Sequence, residues 1–302
     1  MTAKATLAAI EAAIRAALGS DFVLREHAPV AGGCTHAAQR VSDGARTFFV
    51  KTGTPDTGER FAAEADGLAA LAATGAMRVP DVVAHGHDAS CAWLVLEWLE
   101  LRPLQTADDG VRFAEALAAQ HRATGEHFGW HRDNFIGPTP QANTHSDNWA
   151  RFFAHQRLAP QLARARANGY TGELQRHGKR LIERLPALFL DYRPRASLLH
   201  GDLWHGNAAI TDAGEPAVFD AAVYHGDRES DLAMCELFGG FPPAFYAAYR
   251  NAWPLDGAYE ARKPLYALYH VLNHLNLFGR SYLREAERLV TKLDFALGTR
   301  SE

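Results

Sequence analysis

The chain has 302 residues, 47% of them hydrophobic and 22% charged, enough apolar material for a substantial core divided between two lobes or domains. A net charge of −4, with Lys and Arg scattered rather than clustered, argues against a nucleic-acid or membrane-surface partner, and no apolar run approaches the length that spans a bilayer. Three widely spaced cysteines, Cys34, Cys91 and Cys235, suit neither a disulfide framework nor a zinc site; together with an N-terminal stretch that has no apolar signal core, they predict a reduced, cytoplasmic protein.

Leu7, Ile10, Ile14 and Leu18 recur at helical spacing before Gly19, predicting a short amphipathic helix. Strand-like runs follow at 22–29, 37–42 and 46–51, with Asp43-Gly44 as the hairpin signal between the last two. A helix over 59–73, with Phe61, Leu68 and Leu71 on one side, precedes two more strands near 82–85 and 92–98. The pattern breaks at 99–103, the predicted hinge. Beyond it the reading is mainly helical: 107–124, 148–168, 172–189, 230–238, 243–253, 258–278 and 282–297. Two stretches interrupt it, a loop with short strands at 197–219 and a long ordered loop lying against the site, rich in Gly, Pro, Asn and Thr, at 129–146. The order defines an α+β, protein-kinase-like, two-lobed fold. Residues 1–98 form a small β-rich N-lobe and 99–302 a larger, mainly helical C-lobe.

The chemistry is densest at His200-Gly201-Asp202-Leu203-Trp204-His205-Gly206-Asn207, followed by Val218-Phe219-Asp220. An Asp and an Asn five residues apart on one tight loop can divide two jobs. Asp202 accepts a proton from a substrate hydroxyl, and the amide oxygen of Asn207 takes a magnesium ion. Asp220, beyond a short apolar strand, holds the metal against nucleotide phosphates. Each residue alone would read as an ordinary turn former; the combination reads as a phosphoryl-transfer loop. On the nucleotide side, Gly32, Gly33, Cys34 and Thr35 lie between the first two strands, where small residues let backbone N–H groups approach phosphates, although Gly-Gly also serves simply to turn a hairpin. Lys51 ends the third strand, where an ammonium can contact the α- and β-phosphates of ATP. Glu64, thirteen residues on within the next helix, can pair with it. Backbone groups at Glu97, Trp98 and Leu99 are positioned to meet an adenine edge.

These segments resemble the fructosamine-3-kinase (ketosamine-3-kinase) family, within the aminoglycoside-phosphotransferase and protein-kinase-like superfamily. The resemblance is carried by 198–207, by the string from Phe219 through Asp227-Arg228-Glu229-Ser230-Asp231 to Met234, by 147–153, by 236–241 and by Leu272-Asn273-His274-Leu275-Asn276-Leu277-Phe278-Gly279, and it runs from about residue 32 to 282. Two positions depart from it: Ala221 stands where the family usually has Pro, and His225 where it has an aromatic residue. Both are expected near the pocket, where they could alter substrate choice. The resemblance implies ATP- and Mg²⁺-dependent phosphorylation of a ketosamine at C3, after which the product decomposes and releases the amine. The substrate would be a small glycated amine or a glycated protein. Another superfamily kinase, acting on an aminoglycoside, a choline-like alcohol or another sugar, and a silent nucleotide-binding protein are the alternatives; monomer and homodimer both stay open.

Among the remaining polar residues, Asp231 is expected to brace the catalytic loop from the helix behind it, and Asp227, Arg228 and Glu229 to form a local salt-bridged turn. Trp204 and Tyr224, with the polar stripe His270, Asn273 and His274, are the candidates for the acceptor side; the stripe reads equally as buried, satisfied side chains. Cys34 reads either as a thiol activated by the phosphate loop, whose oxidation would inhibit, or as an inert small residue.

Overall fold

The computed structural model describes residues 3–19, 21–30 and 37–298. Helix α1 (Ala3–Leu18) is followed by strands β1 (Glu26–Pro29), β2 (Ala37–Ser42) and β3 (Thr47–Gly53), helix α2 (Gly58–Ala73), and strands β4 (Val82–His87) and β5 (Ala92–Glu97). The five strands form one antiparallel sheet in the order β1-β2-β3-β5-β4. Side-chain alternation gives this sheet two apolar faces. Val50 and Val95 turn toward Ile10 and Ile14 of α1, while their neighbours Leu94 and Leu96 turn toward Phe61, Leu68 and Leu71 of α2. Lys51, next to Val50, therefore points to the α2 side, where the cleft lies.

The chain leaves the sheet through β6 (Leu101–Arg102) and enters α3 (Ala107–His121), whose first turn is fixed by a capping box between Thr106 and Asp109. A hairpin, β7 (Asn134–Ile136) and β8 (Thr139–Gln141), occupies the stretch expected to be a loop. Helices α4 (Trp149–Phe153) and α5 (Ala159–Ala167) are joined by a π-helical turn, Ala154–Leu158, where the sequence predicts one continuous helix. After α6 (Glu173–Arg184) come β9 (Ser197–Leu199), β10 (Ala208–Thr211), β11 (Pro216–Val218) and β12 (Tyr224–Gly226), then α7 (Glu229–Leu237), α8 (Pro243–Ala252), α9 (Tyr259–Phe278) and α10 (Leu283–Gly298). Strand β6 pairs with β10, so the connection out of the N-terminal sheet is stitched into the strands that flank the catalytic loop.

One apolar cluster runs without a break from Phe61, Leu68 and Leu94 to Phe113, Leu117, Leu203 and Val218. The N-terminal sheet and α2 thus rest on the same core that supports the loop at 200–207. A second core, around Trp149, Phe153, Tyr266 and Leu272, holds the C-terminal helices together. Among the described residues no helix is long and apolar enough to cross a membrane.

Candidate active site

The loop between β9 and β10 is held from behind. Asp231, in the first turn of α7, accepts the backbone N–H groups of His200 at 2.8 Å and Gly201 at 2.9 Å, and its carboxylate also meets His121 Nε2 at 3.2 Å. His200 donates through Nε2 to the Phe219 carbonyl at 3.0 Å and accepts from the Asp202 N–H through Nδ1 at 3.3 Å, so it ties the loop to the strand that delivers Asp220. Burial depresses its pKa and keeps the ring neutral, as this pair of bonds requires. Gly201 adopts φ of +82°, and a Cβ there would lie 2.1 Å from the Ala222 carbonyl oxygen; only glycine fits. Asp231 is thus the brace that the sequence suggests.

Asp202 and Asn207 face the cleft from this loop. The Asn207 amide nitrogen donates to the Asp202 carbonyl at 2.9 Å and more weakly to its carboxylate at 3.4 Å, which leaves the amide oxygen as the free end. Burial, with Asp220 and Asp231 nearby, pushes the Asp202 carboxyl up to about 7, against the opposing hydrogen bond from Asn207. Asp220 sits in the left-handed region at φ of +59°, which Asp tolerates better than most residues, and this turns its carboxylate toward Lys51. Lys51 Nζ meets Glu64 Oε1 at 2.6 Å and also contacts Asp220. Burial alone would lower the Lys51 pKa, but the two carboxylates more than offset it and hold the ammonium above its ordinary value.

These groups surround one cleft of about 910 Å³, near the upper end for small-molecule sites. Lys51, Glu64, Glu97, Trp98, Leu99, Asp202, Trp204, Asn207, Asp220 and His274 all line it. At the hinge the Glu97 carboxylate is engaged by Arg78 and by the Asp81 N–H, so what this residue can offer a ligand is backbone. Trp98 donates to Glu100 at 2.7 Å and carries the Arg40 guanidinium over its ring. Gly32, Gly33, Cys34 and Thr35 lie outside the described residues.

Several expectations need correction. Tyr224 is 1% exposed and is not on the cleft: alternation along β12 turns it into the C-terminal core, stacked on Phe152 with the Arg157 guanidinium 4.0 Å above its ring. His270 is buried behind Asp202, with Nδ1 3.9 Å from Asp202 Oδ1, and backs the base without lining the cleft. His225 packs against the Trp130 ring at 5.1 Å, whereas Ala221 does line the cleft. Asp227, Arg228 and Glu229 form no salt bridge with one another, although the Glu229 N–H donates to the Asp227 carboxylate at 3.1 Å. Asp227 accepts from Tyr192 and Tyr266, Arg228 donates to the Trp253 and Pro254 carbonyls, and Glu229 forms a buried two-bond pair with Arg262.

The stretch at 129–146 does lie against the site, as a β7–β8 hairpin rather than a loop, and the sequence reading named none of its residues. Phe135, Ile136 and Gly137 line the cleft. Asn134 donates to the Val223 carbonyl at 2.6 Å, Gln141 accepts from Tyr269 at 2.6 Å, and Arg157, turned inward from the π turn, holds Asn143 at 2.6 Å. The segment before the hairpin reaches across to α2, where Trp130 and His131 meet Asp66 and Arg132 meets Glu59.

A β-sheet lobe on a helical lobe, with an Asp–Asn loop, a second Asp and a Lys–Glu pair around one cleft, defines a kinase of the protein-kinase-like class. An aminoglycoside phosphotransferase, APH(4)-Ia, shares this fold with a TM-score of 0.65 over 95% of this chain and 98% of its own, at 16% identity. The chain belongs to the fructosamine kinase family, whose sequence model matches residues 6–295. It is similar to a probable ketoamine kinase of Synechocystis sp., 45% identical over 90% of this chain and 91% of the relative. The chloroplastic protein-ribulosamine 3-kinase of Arabidopsis thaliana is 36% identical over 86% of this chain and 80% of its own. The crystal structure of a putative fructosamine-3-kinase from Haemophilus somnus superposes with a TM-score of 0.87 at 29% identity, covering 94% and 96% of the two chains.

Asn207 and Asp220 supply hard oxygen donors on the side of the cleft that holds Lys51. Mg²⁺ is usually held by such a pair together with substrate phosphates. Among the described residues there is no cluster of three or more His, Cys, Asp or Glu groups that could hold a metal ion.

Proposed function

We propose that this protein transfers the γ-phosphoryl group of ATP to the C3 hydroxyl of a ketosamine, a sugar attached through its amino-bearing C1 to a small amine or to a glycated protein. The observation that carries the reading is the convergence of Asp202, Asn207, Asp220 and the Lys51–Glu64 pair on one cleft in a chain of the fructosamine kinase family. Residues 1–98 would supply the nucleotide wall and 99–302 the base and the acceptor wall.

Asp202 accepts the proton as the acceptor oxygen forms its bond to the γ-phosphorus, and the bond to the β-phosphate oxygen breaks to leave ADP. Lys51, fixed by Glu64, positions the phosphates, and the backbone at 97–99 takes the adenine edge. Asn207 and Asp220 would hold Mg²⁺, which neutralises phosphate charge when bound. The reaction needs positioning and charge neutralisation more than covalent chemistry, and the loop braced by Asp231 supplies a rigid base. In the phosphorylated product the C1–C2 enaminol can expel phosphate from C3, and hydrolysis of the resulting imine frees the amine; the consequence is deglycation. We place the protein in the cytoplasm, where the buried free thiols of Cys91 and Cys235 stay reduced.

A panel of hydroxyl acceptors tests the reading: fructosyl-, ribulosyl- and erythrulosyl-amines beside aminoglycosides, choline and free sugars. Ketosamines should be turned over with kcat/KM well above every other class. A preference for an aminoglycoside or choline would reject it.

A further inference from the structure

Beyond Asp202, on the side away from Lys51 and the hinge, the cleft is walled by aromatic rings that the phosphoryl-transfer chemistry does not use. Trp204 lies two residues after the base, and its ring meets Phe238 at 6.4 Å. Phe238 meets His274 at 4.4 Å; His274 meets Phe278 at 5.3 Å and Tyr282 at 5.2 Å; and Phe278 and Tyr282 are 6.3 Å apart. All five line the cleft. Their distance from the chemistry follows from α9: His270 backs Asp202, and His274 stands one helical turn further along, about 5 Å.

The imidazole in this wall has a defined role. His274 Nδ1 is 2.9 Å from the His270 carbonyl oxygen, which can only accept, so Nδ1 carries the proton and Nε2 keeps its lone pair. Burial lowers the pKa of His274 and, more strongly, that of His270, so neither ring places a positive charge beside the wall. The cleft's carboxylates, Glu64, Glu97, Glu100, Asp202 and Asp220, belong to the hinge, to the Lys51 pair and to the catalytic loop. What remains at the far end is ring faces, the His274 acceptor, Leu277 and Asn273, whose amide oxygen already accepts from Gln161 at 3.1 Å. Phe278, 48% exposed, forms its open rim.

We propose that Trp204, Phe238, His274, Phe278 and Tyr282 form an aromatic box that binds the C1 ammonium of the ketosamine and its N-substituent. The inference rests on the kinase reading above and names how that site recognises its acceptor. A protonated secondary amine offers what such a box takes: a cation for ring faces, an N–H for the His274 lone pair, and apolar carbons to cover the rings. Only C2 separates the amine-bearing C1 from the hydroxyl-bearing C3, and Trp204 stands two residues after Asp202 on the same cleft, so an amine in the box sets the C3 hydroxyl on the Asp202 side. The open rim lets a longer substituent, such as a glycated lysine stem, run out to solvent. A free ketose fills none of this.

The test compares two acceptors of matched shape, fructosyl-benzylamine and its neutral 1-O-benzyl ether, in the wild type and in the Phe278→Leu and Tyr282→Leu variants, with fructose as a third acceptor. The wild type should show a KM for the amine roughly tenfold below that for the ether, the size of a partly desolvated cation–π contact. Each variant should bring the amine KM up toward the ether KM, the loss falling on KM more than on kcat. Equal KM values for amine and ether in the wild type would overturn the box. So would a wild-type difference that persists undiminished in both variants. Turnover of neither acceptor would overturn the kinase reading and this inference with it, whereas turnover of both with indifferent KM overturns this inference alone.

Discussion

Trp130 Nε1 donates to Asp66 Oδ2 at 2.7 Å, joining the segment ahead of the β7–β8 hairpin to α2, the helix that carries Glu64. The hairpin is itself bolted to the C-terminal core through Asn134, Gln141 and Asn143. Trp130 therefore fixes the Lys51 partner from the opposite lobe.

Trp130→Phe keeps the ring and removes the donor to a carboxylate, a bond worth about 1.5–3 kcal/mol. The variant should raise the KM for ATP and lower kcat, with kcat/KM for ATP down roughly tenfold. The KM for the acceptor should change little. Unaltered ATP kinetics in a folded variant would mean that α2 holds its position without this bond.

Asp202→Asn preserves shape and removes the base. Its kcat should fall by roughly 10²–10⁴ while ATP affinity, measured by titration calorimetry, stays nearly intact. Near-normal turnover would remove Asp202 from the mechanism.

Gly201→Ala places a Cβ against the Ala222 carbonyl at a φ that L-residues resist. The loop must shift, taking Asp202 and Asn207 with it. Activity should be lost in larger proportion than thermal stability, since the strain is confined to one turn. A variant that unfolds at the wild-type temperature and turns over at the wild-type rate would contradict the geometry.

Asp109 accepts two bonds from Arg102, both at 2.8 Å, and caps α3 immediately after the hinge. The Arg102 guanidinium, followed by the Thr106 and Gln105 N–H groups, holds this carboxylate well below its ordinary range against the opposing effect of burial. A carboxyl with a depressed folded pKa stabilises fully above its unfolded value, about 3.9, and the contribution fades as pH falls below that. Asp109→Asn should thus cost about 1–2 kcal/mol near neutrality, read by urea unfolding, and the gap from wild type should close below about pH 3. A gap that does not change with pH would assign the effect to shape alone.

Much of this was legible in the chain, and the gaps have physical causes. Helical and strand periods placed α1, β2, β3, α2, β5 and the C-terminal helices to within a few residues, because each buries one regular face. The Lys51–Glu64 pair was legible because a strand end and a helix interior thirteen residues apart leave few other arrangements. The β7–β8 hairpin was missed because its strands are three residues long and its polar residues, Asn134 and Gln141, read as loop formers although both are buried; the flanking Phe135-Ile136 before Gly137-Pro138 was the available signal. Tyr224 was misplaced because side-chain direction on a three-residue strand depends on register, which the pairing of β12 with β9 sets. Phe278 and Tyr282 gave no sequence signal as cleft residues, since an aromatic residue near a helix end normally reads as core.

The central claim is tested most directly by ADP release with Mg²⁺-ATP and synthetic fructosyl-, ribulosyl- and erythrulosyl-amines, with the position of the new phosphate read by NMR. The account predicts ADP release that depends on the ketosamine and places phosphate on C3. A protein that binds ATP yet releases no ADP above background with any of the three would contradict it.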